Sequence, residues 1–304
     1  MHARYLLTDV FTDRIFGGNP LAVFPEAGAI PGARMQQIAA ELNLSETAFV
    51  LPPEHPGSTL RLRIFTPRTE LPFAGHPTIG AACLLAELGF VAHEGAQARW
   101  IFEEGAGPVP VLVTRGEDGR LFAELSAPQL PEYGPPPPPS GVLAEVLSLR
   151  EDDLVGGSCV PRAVSCGVPF LFVPVKDRQT LARVVLDKAR WHTHLESYWA
   201  PQIYAFTRDT GGEQADLRAR VFAPAMGIAE DPATGAAAAA LAGYLAVSED
   251  LGAGTYRWLV EQGVEMGRPS AIRVEADVYG ARVSGVRVGG GTVLVSDGTM
   301  TIPD

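Results

Sequence analysis

Apolar and polar residues alternate along several short segments of the chain, a pattern typical of half-buried β-strands. From Leu217 to Val221, apolar residues stand at every second position with Arg218 and Arg220 between them. The segment from Leu60 to Phe65 alternates in the same way. A loop and a longer apolar segment follow each strand. Because these longer segments are apolar on all sides, we expect each to form a helix enclosed by protein.

The second of these helices has the stronger start signal. Asp231 and Pro232 stand just before an alanine-rich run that ends near Val247. An aspartate can cap free backbone N–H groups, and proline is tolerated in the first helical turn because that turn has no use for its N–H. We therefore predict that Asp231 caps this helix. The body of the helix is predicted to be buried core, and its start to bind anions or to take part in proton chemistry.

The strand and helix signals recur, which indicates an internal repeat. Four pairs of segments resemble one another in the same order: 18–25 and 167–174, 48–50 and 204–206, 63–67 and 220–224, and 75–82 and 230–237. The last pair is matched at an offset of 155 positions. The sequence thus predicts an α+β protein of two pseudo-equivalent lobes, each with strands wrapped around one helix. The two helix starts are predicted to face each other across a cleft.

The remaining patterns give the predicted boundaries. Helices are expected over Pro31–Leu42 and His76–Leu88. Residues 131–140 contain five consecutive prolines and are predicted to form a stiff linker. The first lobe is then 1–130, joined by a C-terminal strand from about 290–304, and the second lobe is 141–289.

Composition narrows the functional classes. The net charge of −11 over 304 residues argues against nucleic acid and anionic membrane surfaces as partners. The first residues read as a strand, so no signal peptide is expected. Cys83, Cys159 and Cys166 lack metal-ligand spacing, and we expect reduced thiols in a cytoplasmic protein.

Glu46 is the first candidate for catalysis. It lies between a predicted helix end and the strand 48–50, where partial burial of a carboxyl group favours a raised pKa and general acid–base chemistry. The alternative is that Ser45 and Glu46 only cap or solvate a turn. Three other polar groups are predicted to be solvated surface: His192 with His194, Glu103 with Glu104, and Glu151-Asp152-Asp153.

Six segments resemble the signatures of the PhzF-like family of phenazine biosynthesis. In chain order they are GGNPLAVF, LNLSETAFV, RIFTP, LPFAGHPTIGAA, EDPATGAAAAAL and EQGVEMGRPS. The resemblance implies a diaminopimelate-epimerase-like fold, in which each lobe is a strand barrel around a central α-helix and the active site lies between the lobes. It also implies a cytoplasmic homodimer that needs no cofactor. The family's namesake isomerises a dihydro-hydroxyanthranilate by moving a proton along the ring.

The resemblance also implies roles for individual residues. Glu46 matches the catalytic glutamate, and His76 and Asp231 match a polar pair beside the substrate. Residues that match substrate-lining positions are Asn19, Ser45, Gly75, Gly235 and Ala236. Ala236 departs from the family, which usually has serine there. Related racemases place a cysteine at each helix start, but here Ala74 and Asp231 occupy those places, so racemisation by two thiols is not expected.

The predicted function is a cofactor-independent isomerase that moves a proton between carbons of a small carboxylate. Backbone N–H groups at Thr78–Gly80 and Thr234–Ala236 are expected to hold the carboxylate without a metal. One alternative is an epimerase, racemase or lyase on the same scaffold. Another is a non-catalytic protein that binds a small carboxylate.

Overall fold

The computed structural model describes residues 1–90, 96–212, 214–280 and 282–303. The strands are β1 (His2–Val10), β2 (Asn19–Phe24), β3 (Glu46–Leu51), β4 (Leu60–Phe65), β5 (Glu70–Leu71), β6 (Gln97–Glu104), β7 (Gly107–Arg115), β8 (Leu121–Ser126), β9 (Glu132–Tyr133), β10 (Arg162–Ser165), β11 (Pro169–Pro174), β12 (Gln202–Thr207), β13 (Leu217–Ala223), β14 (Ile228–Asp231), β15 (Gly254–Gln262), β16 (Ser270–Tyr279) and β17 (Arg282–Thr301). The α-helices are α1 (Gly32–Leu42), α2 (Gly75–Glu87), α3 (Ser140–Val146), α4 (Arg178–Arg183), α5 (Lys188–His194) and α6 (Gly235–Ser248).

The chain forms two compact units. The first unit contains Met1–Ser126 and the chain from Gly289 onward, and the second contains Ala127–Val288. The proline-rich segment that the sequence predicted as a linker lies in the second unit, where β9 pairs with β10. None of the described helices is long and apolar enough to span a bilayer.

The first unit is a closed barrel around α2. Its strands pair in the ring β17, β1, β2, β3, β4, β6, β7, β8 and back to β17. The helix α2 packs against β1, β2, β3, β7 and β8 and is buried along almost its whole length. A side chain at Gly80 would lie 2.6 Å from Val10 Cγ2 and 2.7 Å from Leu21 Cδ2. Glycine at this position lets the helix approach the barrel wall closely.

The second unit repeats the pairing pattern of the first. The pairs β10–β11, β11–β12, β12–β13, β13–β15 and β15–β16 are antiparallel, parallel, antiparallel, parallel and antiparallel. The pairs β1–β2, β2–β3, β3–β4, β4–β6 and β6–β7 follow the same order of directions. The helix α6 packs against β10, β11 and β16 and is buried on nearly all sides. The predicted fold class, with one central helix in each lobe, is confirmed.

Each unit has an outer core where short helices cover the strands. In the first unit, Met35 and Ile38 of α1 pack on the aromatic rings of β2, β3 and β4. In the second unit, Leu181 of α4 and Trp191 of α5 belong to a cluster with residues of α3, β11 and β12. These helices close the outer faces of the strands, whereas α2 and α6 fill the inner faces.

A duplicated arginine contact establishes how the two units correspond. Arg63 donates from Nε and Nη2 to Glu70 at 2.7 Å each, and it lies over the ring of Phe65. Arg220 donates from Nε and Nη2 to Glu230 at 2.8 and 2.9 Å, and it lies over the ring of Phe222. Each arginine thereby ties a barrel strand to the segment that leads into the central helix.

The contact also corrects the register of the predicted repeat. Glu70 and Glu230 are 160 positions apart, as are Gly75 and Gly235, the first residues of α2 and α6. Strand register agrees, because Ile64 pairs with Leu71 where Val221 pairs with Asp231. The offset of 155 for this segment was therefore wrong. A shared Pro, Thr and Gly made that alignment look good, although the residues lie at different points of the two helix starts.

Candidate active site

Glu46 is the first residue of β3, in the first unit. The helix α1 ends at Leu42, and Asn43 turns the chain with a φ of 51°, a conformation that asparagine tolerates better than most residues. Glu46 pairs with Leu21 of the parallel strand β2. Its side chain is 12% exposed, and the neighbouring Ser45 is half-buried. The position between a helix end and a strand is the one that the sequence predicted.

Asn19, the first residue of β2, is fully buried. The turn before it depends on Gly18, whose φ is +59° and where a side chain would lie 2.1 Å from the carbonyl oxygen of Val10. Only glycine fits such a turn without strain. Asn19 pairs with Val10 of β1 and stands two residues before the partner of Glu46 on the same strand.

Glu46 and His76 lie together in the first unit. Their side-chain atoms Oε2 and Nε2 are 3.3 Å apart, and the His76 side chain is 6% exposed. Burial lowers the pKa of His76 to about 3, so the imidazole is neutral at neutral pH. A neutral imidazole has one N–H donor and one acceptor nitrogen, and its 3.3 Å contact with Glu46 is a close approach of two buried polar atoms rather than a hydrogen bond.

The start of α2 differs in one respect from the prediction. The helix begins at Gly75, and the N–H of Thr78 donates to Ala74 O within the helix, so Thr78 is not one of the donors left over at the start. The residues of the first turn are Gly75, His76 and Pro77, and proline has no N–H. The predicted range Thr78–Gly80 thus lies one turn too late in the helix.

Asp231 does not cap α6, contrary to the prediction. It is the last residue of β14, and the N-cap of α6 is Thr234. Asp231 is buried, and its Oδ2 accepts a hydrogen bond from Thr234 Oγ1 at 2.5 Å. The N–H of Thr234 donates to Gln262 Oε1 at 3.2 Å. It is therefore already used within the protein and is not one of the N–H groups left to hold a substrate carboxylate, as was predicted. Pro232 lies in the loop between strand and helix rather than in the first turn.

Gln262 and Ser270 support this loop and had no predicted role. Gln262 is fully buried, and its Nε2 donates to Asp231 O at 2.7 Å and to Thr234 Oγ1 at 3.0 Å. Ser270 Oγ lies 2.8 Å from Pro232 O. Both residues lie in the segment EQGVEMGRPS, which resembles a family signature but carried no prediction for either residue. For Gln262 a signal was available, because its position continues the alternate strand positions of Trp258 and Val260, which are apolar.

Two more predicted site residues lie beside this loop. Gly235 is the first residue of α6 and is buried, and Ala236 is the second and is half-buried. The structure therefore places Asn19, Ser45, Glu46, Gly75 and His76 in the first unit, and Asp231, Gly235 and Ala236 in the second.

Two groups predicted as solvated charge are partly buried. Glu104 is 7% exposed and contacts Thr78, and Glu103 accepts hydrogen bonds from the N–H groups of Glu54 and His55. Asp153 is 6% exposed and accepts from the N–H of Arg150. Hydrogen bonds to backbone N–H groups or to a hydroxyl group are what allow these carboxyl groups to be buried.

The remaining candidate groups are the histidine pair of α5 and the three cysteines. His192 is exposed and pairs with Glu196 at 2.8 Å. Cys83, Cys159 and Cys166 are free. In the part of the chain that the structure describes, no three His, Cys, Asp or Glu side chains are grouped so that they could hold a metal ion.

A match to a protein-family model identifies the family of the chain. Residues 8–298 match the family model described as phenazine biosynthesis-like protein. The chain belongs to this family. The phenazine biosynthesis-like family was the one that the sequence signatures resembled.

Relatives agree with this assignment. The chain is 40% identical over 301 residues to an uncharacterized isomerase of Mesorhizobium japonicum, covering 98% of each chain. It is 36% identical over 299 residues to trans-2,3-dihydro-3-hydroxyanthranilate isomerase of Pseudomonas aeruginosa, covering 98% of this chain and 99% of the relative. The phenazine biosynthesis-like chain described here is thus an isomerase, and the predicted enzyme class is confirmed.

Solved structures agree on the fold. A phenazine biosynthesis protein of the PhzF family from Bacillus anthracis is 26% identical, with a TM-score of 0.88 and coverage of 99% of this chain and 100% of that chain. A hydroxyproline epimerase from Agrobacterium vitis, at 13% identity and a TM-score of 0.64, covers 98% of this chain and 91% of its own and shares the fold alone. The predicted epimerase-like fold is therefore confirmed for this member of the phenazine biosynthesis-like family.

Proposed function

We propose that this isomerase moves a proton between two carbons of a small carboxylate substrate, with Glu46 as both the base and the acid. The observation that carries the proposal is the contact of 3.3 Å between Glu46 Oε2 and His76 Nε2 in a buried setting. A carboxyl group withdrawn from water and facing a neutral imidazole can accept a proton and return it without leaving its place.

The proton balance is simple. The Glu46 carboxylate takes a proton from the donor carbon, and the electron pair of the broken C–H bond spreads into the substrate's conjugated or carboxylate system. Glu46, now a carboxylic acid, then delivers the proton to the acceptor carbon. No proton or electron is gained or lost overall, as an isomerisation requires.

His76 is proposed to polarise the substrate rather than to take the proton. Its pKa of about 3 makes it a poor base at neutral pH, whereas a neutral imidazole can still donate one hydrogen bond to a developing negative oxygen. Gly75 and His76 stand in the first turn of α2, where backbone N–H groups and the helix dipole favour an anionic group of the substrate.

Asp231 is proposed to hold the substrate from the start of α6. Its carboxylate is fixed by Thr234 Oγ1, and its peptide carbonyl by Gln262 Nε2. A carboxylate accepts several hydrogen bonds, so one that a neighbouring hydroxyl fixes in place is suited to orienting a substrate hydroxyl or amino group.

The test is a proton-exchange screen. Small unsaturated carboxylates are incubated with the enzyme in D2O, and incorporation of deuterium at carbon is followed by NMR. We expect incorporation with wild type and none with Glu46→Gln, and Glu41→Gln, an exposed glutamate on α1, is the matched control. Exchange by Glu46→Gln at the wild-type rate would refute the role of Glu46.

A further inference from the structure

Glu104 is buried against the helix that bears His76, and its chemistry is unexplained by the proposed reaction. It ends β6, and its Oε1 lies 2.7 Å from Thr78 Oγ1 on α2. Thr78 Oγ1 also lies 2.8 Å from Ala74 O, the carbonyl of the α2 N-cap. The second oxygen of Glu104, Oε2, is buried without a hydrogen-bond partner among the described residues.

Counting protons in this chain of contacts favours a protonated Glu104. The Thr78 hydroxyl has one proton, and Ala74 O, which also accepts from the N–H of Thr78, can only accept; we take the hydroxyl proton to point to Ala74 O, because a buried Glu104 without a counterion is better neutral. The contact of 2.7 Å to Glu104 is then a hydrogen bond only if Glu104 donates. The order is Glu104 Oε1–H to Thr78 Oγ1, and Thr78 Oγ1–H to Ala74 O. An ionised Glu104 would leave two acceptors competing for one hydroxyl proton.

We propose that Glu104 is a positioning residue of the isomerase site, a neutral acid that fixes the first turn of α2 and with it Gly75 and His76, and that its ionisation weakens substrate binding at alkaline pH. The proposal rests on the proposed function for the role of His76. Glu104 itself lies behind the helix start and acts through Thr78.

The repeat supplies an independent argument. Arg61 of β4 pairs with Glu103, and Arg218 of β13 pairs with Glu261, so the counterpart of Glu104 in the second unit is Gln262. Gln262 does for α6 what is proposed for Glu104, since it contacts Thr234, the N-cap of that helix. A protonated carboxyl group and an amide have nearly the same shape, and both are neutral.

The residues that follow strengthen the correspondence. A side chain at Gly105 would lie 2.9 Å from Pro72 Cα, and one at Gly263 would lie 2.5 Å from Pro232 O. In both units, therefore, a buried neutral polar group and a glycine pack closely under the loop that enters the central helix.

The charges near Glu104 do not offer it a counterion. It lines a cavity of about 640 Å³ whose other ionisable side chains are Glu54, His55, Arg61, Arg63, Glu70 and Glu103. Arg61 pairs with Glu54, Arg63 with Glu70, and His55 with Glu103.

The neighbouring elements offer Glu104 no charge either. On α2, the ionisable group of the same turn is His76, which is neutral. On the adjoining β7, Glu104 faces Gly107. In keeping with this, burial raises the pKa of Glu104 to about 8.

Ionisation would act on binding more than on the chemical step. A carboxylate under the start of α2 competes with an anionic substrate for the positive end of the helix dipole. It also releases the hydrogen bond that holds Ala74. We therefore expect KM for the substrate to rise above about pH 8 while kcat changes less.

Three variants test this in the full-length enzyme. Glu104→Gln keeps the donor and the shape but cannot ionise, so we expect activity near that of wild type at pH 7 and no rise of KM at alkaline pH. Glu104→Leu removes the donor, and we expect a loss of about 5- to 10-fold in kcat/KM at pH 7, the usual effect of one hydrogen bond. Glu103→Gln, on the opposite face of β6, should show the same rise of KM at alkaline pH as wild type. If KM of Glu104→Gln rises at alkaline pH as it does in wild type, the proposal is overturned.

A second measurement does not depend on the reaction. The folded-state pKa of Glu104 is raised from its ordinary value of 4.5 to about 8, so the unfolded chain releases this proton first. The stability of the folded protein should therefore fall as pH rises from about 4.5 to about 8. Urea unfolding should show wild type losing stability relative to Glu104→Gln over that window. NMR signals of the His76 ring should shift near pH 8 in wild type and not in Glu104→Gln. If neither the stability difference nor the shift of the His76 signals is seen, Glu104 is not the neutral acid proposed, even if Glu46 proves catalytic.

If Glu46→Gln stays active while the stability difference and the shift of the His76 signals are both seen, the proposed function fails and the protonation of Glu104 stands.

Discussion

His76 and Ala236 occupy the same position in the two repeats, each being the second residue of its central helix. The repeat thus carries an imidazole at one helix start and a methyl group at the other. In the proposed reaction the acid–base group is Glu46, beside His76, whereas the start of α6 offers backbone donors and Asp231. This asymmetry favours one acid–base group over a symmetric pair of them.

The first prediction compares Glu46 with Asp231. Glu46→Gln keeps the side-chain shape but cannot accept a proton, so we expect a loss of about 10²–10⁴-fold in kcat, the usual contribution of a general acid–base group. Asp231→Asn keeps an acceptor for Thr234 Oγ1 and should lose less. Steady-state kinetics of both variants decide between the roles. A larger loss at Asp231 would reverse them.

The second prediction follows the abstracted proton. If Glu46 alone removes and returns it, a substrate deuterated at the donor carbon should keep part of its label in the product, because the same carboxyl group delivers what it took. Mass spectrometry of product formed in H2O measures the retained fraction. Complete loss of label in every turnover would favour the epimerase alternative, in which two bases act on opposite faces, or an acid that exchanges with water faster than it reacts.

The third prediction concerns acid stability. The pKa of His76 is lowered from 6.5 to about 3 in the folded protein, so the unfolded chain binds a proton more readily as the pH falls. This group should cost the folded state about 1.4 kcal/mol for each pH unit below about 6.5, down to about pH 3. Urea unfolding at pH 7 and pH 5 should show His76→Asn losing less stability than wild type. His194→Asn, at an exposed position of α5, should lose as much as wild type.

The fourth prediction concerns the duplicated arginine contact. Arg220 is 8% exposed, pairs with Glu230 and donates to Leu181 O and Val184 O at 3.0 and 2.8 Å. Removing one partner of a buried pair costs about 3–5 kcal/mol, so we expect Arg220→Met to lower the free energy of unfolding by that amount. Arg4→Met, which breaks the exposed pair with Asp297, should cost about 0–1 kcal/mol. Equal losses in the free energy of unfolding for Arg220→Met and Arg4→Met would show that solvent screens the Arg220–Glu230 pair as it does an exposed pair.

Much of the fold could be predicted because local patterns and tertiary structure agree. Alternating strands such as Leu217–Val221 bury one face, and the two apolar helices have no polar face to expose. The repeat was found for the same reason. Its register across the helix starts was not, because Glu230 follows Arg220 by ten positions whereas Glu70 follows Arg63 by seven. Sequence identity alone does not locate these three extra residues.

The site was predicted less completely. The resemblance named Glu46 and His76 as separate site residues, and the structure brings Glu46 Oε2 and His76 Nε2 to 3.3 Å from each other. Glu104 was assigned to the surface because two adjacent glutamates usually are solvated. On a strand, however, adjacent side chains point to opposite faces, so Glu103 reaches the outside while Glu104 enters the barrel. Strand alternation was the signal that could have separated them.

The last prediction concerns the substrate and the position of Ala236. The resemblance implies serine at this position, and the structure places Ala236 in the first turn of α6, half-buried and next to Gly235. A serine hydroxyl at this point can donate to a substrate oxygen beside the backbone N–H groups, and alanine keeps only the N–H.

A desolvated substrate oxygen without that hydroxyl would lose about 1–3 kcal/mol, or roughly 5- to 150-fold in kcat/KM. We therefore expect wild type to be a poor catalyst for trans-2,3-dihydro-3-hydroxyanthranilate, the substrate named for the Pseudomonas aeruginosa relative, and Ala236→Ser to gain activity on it within this range. Val247→Ser, an exposed position near the other end of α6, is the matched control and should gain nothing. Efficient turnover by wild type with no gain in Ala236→Ser would show that a water molecule or a neighbouring group replaces the hydroxyl, and that the native substrate is not set by this residue.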